Sequence, residues 1–247
     1  MKAPEHMPPE MVNEYSMNGK VLVEYSYRND CSQEAQKEYN DNYTKDNLLN
    51  FIKRIKKREV AGYGITDKWM YDALEKYPIK DKTVCIMGST TSWYEAMAIE
   101  FGAKRCVVFE YSKRETFDDR IEYIQPHQLG KEKFDVCFSI SSIEHDGLGR
   151  YGDPLNPNAD IETMLSAKKY IEKDGLMFLS VPTGYDCVYF NVHRVYGRIR
   201  LPQLLKEWGK IDAFGVFPDT LSNNLNDGKQ SPYQPVFVLK IYNHCSS

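Results

Sequence analysis

The chain is expected to fold as an α/β protein, a doubly wound, mostly parallel sheet with an N-terminal helical extension. Three observations carry that expectation. From residue 82 onward, short runs that are apolar throughout alternate with helical stretches, and strands apolar at every position belong to a sheet covered on both faces. The helices between them require crossovers, which are right-handed, so the layers wind on both sides. Residues 1–78, by contrast, are polar, tyrosine-rich and short of β-branched runs. The boundary therefore falls between an extension at 1–78 and a sheet domain at 79–247.

In the extension, residues 45–60 (KDNLLNFIKRIKKREV) place Leu48, Leu49, Phe51, Ile52 and Ile55 on one side of an amphipathic helix. The basic stripe from Lys53 to Arg58 reads as its solvated face. A second helix at 67–76 ends at Pro78. In the sheet domain, 83–87 (TVCIM), 105–109 (RCVVF), 120–124 and 134–140 (FDVCFSI) are expected as strands, with a helix over 92–102 ended by glycine. A helix over 159–173, with a cap at Asn158, leads through Asp174-Gly175 into a strand at 176–181. Strands at 211–216 and 235–242 are expected to form a hairpin at one sheet edge.

Bulk properties narrow the function classes. Of 247 residues, 42% are apolar and 13% aromatic, enough for a sizeable core and against a disordered class. The net charge is −3, from 32 basic and 35 acidic residues. That gives no polybasic footprint, so neither nucleic acid nor an anionic membrane is an expected partner. The first twenty residues contain no apolar run, and the longest one elsewhere is about six residues at 176–181, against the ~20 needed to span a bilayer. The cysteines include no CxxC pair, and Cys85, Cys106 and Cys137 fall inside apolar strands, where a thiol acts as a small hydrophobe. A reducing, cytoplasmic setting is expected.

Ligands of an open α/β sheet bind beyond the carboxyl ends of its strands, and three such ends carry suggestive residues. After the first strand stand Gly88, Ser89, Thr90 and, at the helix start, Trp93. A glycine there admits close backbone approach, and a helix N-terminus behind it favours polar or anionic groups. Glu110 ends the second strand, where an acid accepts the hydroxyls of a ribose. Ser139 begins the third, polar end. One glycine in place of the G-x-G-x-x-G pattern argues against a bound pyrophosphate and so against an oxidoreductase. It argues less against a phosphate-free nucleoside such as S-adenosylmethionine.

The segment 140–154 (ISSIEHDGLGRYGDP) packs a glutamate, a histidine, two aspartates, an arginine, three glycines and a proline into fifteen residues. Loops at strand ends are where function concentrates in such folds. His145 is the first candidate base because imidazole titrates nearest neutral pH, with Glu144 or Asp146 to orient it. Arg150 and Asp153 either hydrogen-bond substrate hydroxyls or form an ion pair across the loop.

This segment, with GLMFLSVPTGYDCVYFNVHRVYGRIRLPQLL after it, resembles a methyltransferase-like family of unknown function abundant in nematodes. The likeness covers residues 40–242, and IEHDGLGRYGDP is its specific part. Similar domains lie beside glycosyltransferases in bacterial and large-virus glycan-synthesis systems. The resemblance implies a class I, Rossmann-like methyltransferase with a seven-stranded sheet, S-adenosylmethionine as donor, a sugar hydroxyl as acceptor (a deoxyhexose such as rhamnose or fucose), and association with a glycosyltransferase. A wider similarity concerns Glu144-His145: in some O-methyltransferases this pair and a histidine after the next strand, here His193, ligate a divalent metal, Mn²⁺ or Mg²⁺. This chain departs from that version at Ser141, where a further glutamate is expected. Two alternatives stay open: a non-catalytic nucleoside-binding or interaction module, and a methyltransferase for a non-sugar small molecule.

Overall fold

A computed structural model describes residues 4–110, 114–128, 130–221 and 233–242. In chain order its elements are α1 (Val12–Tyr15), β1 (Leu22–Tyr25), α2 (Gln33–Asp41), α3 (Lys45–Lys56), α4 (Ile65–Lys76), β2 (Thr83–Met87), α5 (Trp93–Glu100), β3 (Arg105–Phe109), β4 (Ile121–Ile124) and β5 (Phe134–Ile140). They continue with α6 (Ala159–Ala167), β6 (Ile171–Ser180), β7 (Cys187–Phe190), β8 (His193–Val195), α7 (Arg200–Leu204), β9 (Trp208–Phe214) and β10 (Val236–Ile241).

Seven strands form one sheet in the order β4-β3-β2-β5-β6-β10-β9. The first five run parallel, and β10 enters antiparallel between β6 and β9. The α/β, doubly wound expectation therefore holds, and the final hairpin lies at the sheet edge as expected. Successive residues of the central strands feed two cores. Val84, Ile86, Val136 and Phe138 face α3, α4 and α5, whereas Cys85, Cys137, Met177 and Leu179 face α6 and α7. Two covered faces are why β2 is apolar from Val84 to Met87. α5 is apolar nearly all round and fully buried except at its end, as a helix between sheet and outer helices must be.

The helices of the extension start where side chains satisfy their free N–H groups: Ser32 accepts from Ala35 ahead of α2, and Thr44 accepts from Asn47 ahead of α3. The basic stripe on α3 is solvated and partly paired, through Arg54–Glu59, Lys56–Glu100 and Arg58–Glu75.

The structure corrects the sequence in two places. The expected helix over 159–173 stops at Ala167, and β6 begins at Ile171, because Ile171 pairs with Phe134 across the sheet. The extension is also not only helical. β1 pairs in parallel with β7, and β7 with β8, in a separate three-stranded sheet. This small sheet has its own core of Met7, Tyr15, Val21, Leu148, Val188 and Phe190. Leu148 belongs to the glycine-rich loop, so the chain's N-terminal residues pack directly beneath the segment with the densest chemistry. Among the described residues five cysteines are free, and no helix is long and apolar enough to cross a membrane.

Candidate active site

One cavity of about 1280 Å³ opens beyond the carboxyl ends of β2, β3 and β5. Gly88, Ser89, Thr90 and Glu110 line one end, and His145, Asp146, Tyr151 and Asp153 line the other. The extension supplies the facing wall through Tyr39, Phe51 and Tyr63.

The first end is built by strand termini. The Gly88 N–H donates to the Phe109 carbonyl, continuing the β2–β3 ladder by one bond, and the chain then turns with φ +71°. A Cβ at that position would meet Ser142 Oγ at 2.6 Å. Both facts require glycine. The Ser89 N–H points at Glu110 Oε2, 3.3 Å away, and its hydroxyl donates to the Thr91 carbonyl. Glu110 is thereby held at the rim of the cavity. Trp93 borders the cavity too, but its ring meets Phe51 edge-on and its indole N–H donates to Asp67. Asp67, buried and with its carboxyl pushed up by desolvation, also accepts from the Ala61 N–H and the Tyr94 hydroxyl. It thereby ties the turn that carries Tyr63 onto α5.

Ser139 does not line the cavity. It is fully buried, and its neighbours in β5 carry it to the face covered by α6, away from the residues that line the cavity. Glu95, the other acid considered at this end, is buried at the start of α5, where desolvation raises its carboxyl to about 7.

At the second end, residues Ile143–His145 form a one-turn 3-10 helix after β5. His145 Nδ1 lies 2.6 Å from the Val192 carbonyl, which only accepts, so Nδ1 carries the proton and Nε2 is left as the basic nitrogen. Burial, and then the nearby Arg150 charge, push the imidazole well below 6.5, keeping it neutral at physiological pH. The carbonyl, not Glu144 or Asp146, orients the ring. Glu144 Oε1 lies 3.7 Å from Nε2, beyond hydrogen-bond reach, and accepts instead from Ser141 Oγ at 2.6 Å. Asp146 accepts from the Thr163 hydroxyl at 2.7 Å. Desolvation raises both carboxyls to about 7.

Of its two readings, Arg150 shows the ion pair. It does not line the cavity, and its Nε pairs with Asp30 Oδ2 at 2.6 Å, a residue of the extension rather than of the loop. Asp153 does line the cavity, while accepting from the Gly149 and Tyr151 N–H groups. The three residues considered for a metal are not gathered into one site. His193 stands with its ring 6.5 Å from that of His145, and among the described residues no three His, Cys, Asp or Glu side chains are arranged to hold a metal ion. Two buried arginines missed in the sequence fix the loop. Arg194 donates to the Asp146 carbonyl, and Arg200 pairs with Asp160 while donating to the Pro157 carbonyl.

The fold is shared with solved structures of S-adenosylmethionine-dependent methyltransferases. Such an enzyme from Clostridium acetobutylicum superposes with a TM-score of 0.50 at 8% identity, covering 80% of this chain and 99% of its own. The CcbJ methyltransferase from Streptomyces caelestis gives 0.47 at 10% identity over 72% of this chain and 90% of its own. A Streptococcus mutans protein assigned to the same class gives 0.45 at 13% identity over 71% of this chain, which spans 49% of that protein. Over residues 81–233 the chain matches, and so belongs to, the family described as "Caenorhabditis protein of unknown function, DUF268". No curated protein matches it.

Proposed function

We propose that this protein is an S-adenosylmethionine-dependent O-methyltransferase acting on a sugar hydroxyl, that of a deoxyhexose in a glycan. The observation that carries the reading is that one cavity joins Glu110, at the end of β3, with the neutral His145, beyond the end of β5. Glu110 suits the two hydroxyls of a ribose, and Gly88 and Ser89 offer backbone where a nucleoside must come close. The donor, when bound, supplies an electrophilic methyl group on a sulfonium. This chain's own task is then to align the acceptor oxygen and remove its proton. His145 Nε2 takes the proton, because Nδ1 is committed to the Val192 carbonyl. A base of this kind contributes ~10²–10⁴-fold, and alignment up to roughly 7–11 kcal/mol. Tyr39, Tyr63 and Tyr151 offer aromatic surface, and Asp153 a carboxylate, to a neutral polyhydroxyl acceptor.

Two measurements test the reading. Adenosylhomocysteine is expected to raise the melting temperature, by about 2.7 kcal/mol of stability at a hundredfold excess over its Kd, and NAD is expected to leave it unchanged. Radiolabelled donor with a panel of glycosides, catechols and RNA oligomers is expected to label only glycosides. Transfer to catechol or RNA alone would refute the sugar acceptor, and product binding without transfer to anything would mean a nucleoside-binding module.

A further inference from the structure

One polar cluster beside the cavity is not used by the reading above. Asp30 and Arg150 are only 4% and 8% exposed, and are joined twice, by the Nε–Oδ2 pair at 2.6 Å and by the Asp30 N–H donating to the Arg150 carbonyl. Stability alone is a weak reason for such a pair, because desolvating two charges offsets much of their attraction. The other end of the guanidinium distinguishes it. Arg150 Nη1 donates to the Val192 carbonyl at 3.3 Å and lies 3.2 Å from His145 Nδ1. That carbonyl is the one that orients the imidazole.

Val192 sits in the turn between β7 and β8, and the same N-terminal segment straps this turn. β1 runs along β7, the Ser26 N–H donates to the Phe190 carbonyl, and the Ser26 carbonyl accepts from the Asn191 N–H. Arg28 and Asn191 exchange two further bonds, at 2.9 and 3.0 Å. Residues 22–30 therefore fix both partners of the His145 ring while Asp30 stays out of the cavity itself.

We propose that Asp30 is a positioning residue for His145, acting through Arg150, so that residues 22–30 form a strap completing the active site. The proposal rests on the reading of His145 as the base. The ring is faced by Arg150, His193 and Arg194, which oppose its charging, by Glu144 at 3.7 Å, and by the edge of Tyr151. Of the cations, Arg150 depresses the ring's proton affinity most, second only to burial, and Asp30 decides whether Arg150 stays there. Without its carboxylate partner the guanidinium is an unpaired buried charge, and it is expected to turn away towards water.

The experiment titrates the His145 ring by NMR in the parent, in Asp30→Ala and in Arg150→Met, with His145→Ala assigning the signal. Both variants are expected to move the titration upward, and the double variant no further than Arg150→Met. Methyl transfer to methyl rhamnoside is expected to fall in kcat, on the order of 10²-fold, with the KM for the donor unchanged. A His145 that titrates in Asp30→Ala as in the parent, or parental turnover in that variant, overturns the proposal. If Asp30→Ala does not fold, Asp30→Asn is expected to shift the titration the same way by less, and an unmoved titration overturns the proposal equally. The base reading fails on a different result, His145→Ala turning over at the parental rate whatever Asp30→Ala does to the titration.

Discussion

Gly88, Ser89 and Glu110 stand where two adjacent parallel strands end, whereas His145 and Asp146 stand on and just after a one-turn helix pinned by residues far away in the chain. The first group is held by backbone: a ladder bond from Gly88, and a Ser89 N–H on the Glu110 carboxylate. The second is held by side chains and carbonyls shut away from water, and its carboxyls and imidazole have altered proton affinities. The Glu110 end of the cavity is thus a matter of geometry and the His145 end a matter of electrostatics. Substitutions at the two ends should separate binding from chemistry.

The largest expected effect is at the His145 end. His145→Ala should lower methyl transfer ~10²–10⁴-fold while adenosylhomocysteine affinity, measured by calorimetry, stays near the parental value. A comparable loss of affinity would erase the distinction between the ends.

Next comes the pH dependence of stability. Glu144 and Asp146 rise from 4.5 and 3.8 to about 7 on folding, so the folded protein holds more protons than the unfolded chain between those values. Their contribution is fully present below pH 4 and is lost as pH rises through 7. His193, pushed down to about 4 by burial, works in the opposite sense below 6.5, so each variant must be compared with the parent. Glu144→Gln or Asp146→Asn should remove a pH-dependent loss on the order of 3–4 kcal/mol, at about 1.4 kcal/mol per unit. Urea midpoints between pH 4 and 8 read this directly, and parallel curves for variant and parent would contradict it.

Smaller effects belong to the Glu110 end. Glu110→Ala should weaken adenosylhomocysteine by roughly 10–100-fold, matching the ~1.5–3 kcal/mol of a hydrogen bond to a charged group, with unchanged far-UV circular dichroism. Gly88→Ala should cost about 1 kcal/mol for its positive φ, beyond the push on Ser142, and should lower the melting temperature and donor affinity together. If it changed neither, the tight turn at Gly88 would be unimportant.

The same contrast decided what the sequence could reveal. β2, β3 and β5 match their expected bounds residue for residue, because an apolar run ended by a polar residue or glycine states both burial and direction. Glu110 and Gly88 followed from those ends. The three-stranded sheet did not, because Leu22–Tyr25 is largely exposed and owes its conformation to Cys187–Phe190, more than 160 positions away. Asp30 sits in a polar stretch (YRNDCSQ) that gives no local sign of a partner at Arg150. Ile171 looked helical within KKYIEK and became a strand residue only through Phe134. The density of charge in 140–154 marked the loop correctly as unusual, yet which of its groups face the cavity depended on Val192, Arg194 and Asp30.

The most direct test of the central claim is a crystal structure with adenosylhomocysteine. The expected result has the ribose hydroxyls on the Glu110 carboxylate, the nucleoside against Gly88 and Ser89, and the sulfur turned towards His145 Nε2. A product bound elsewhere, or bound with its sulfur turned away from His145, would contradict the assignment of donor and acceptor ends.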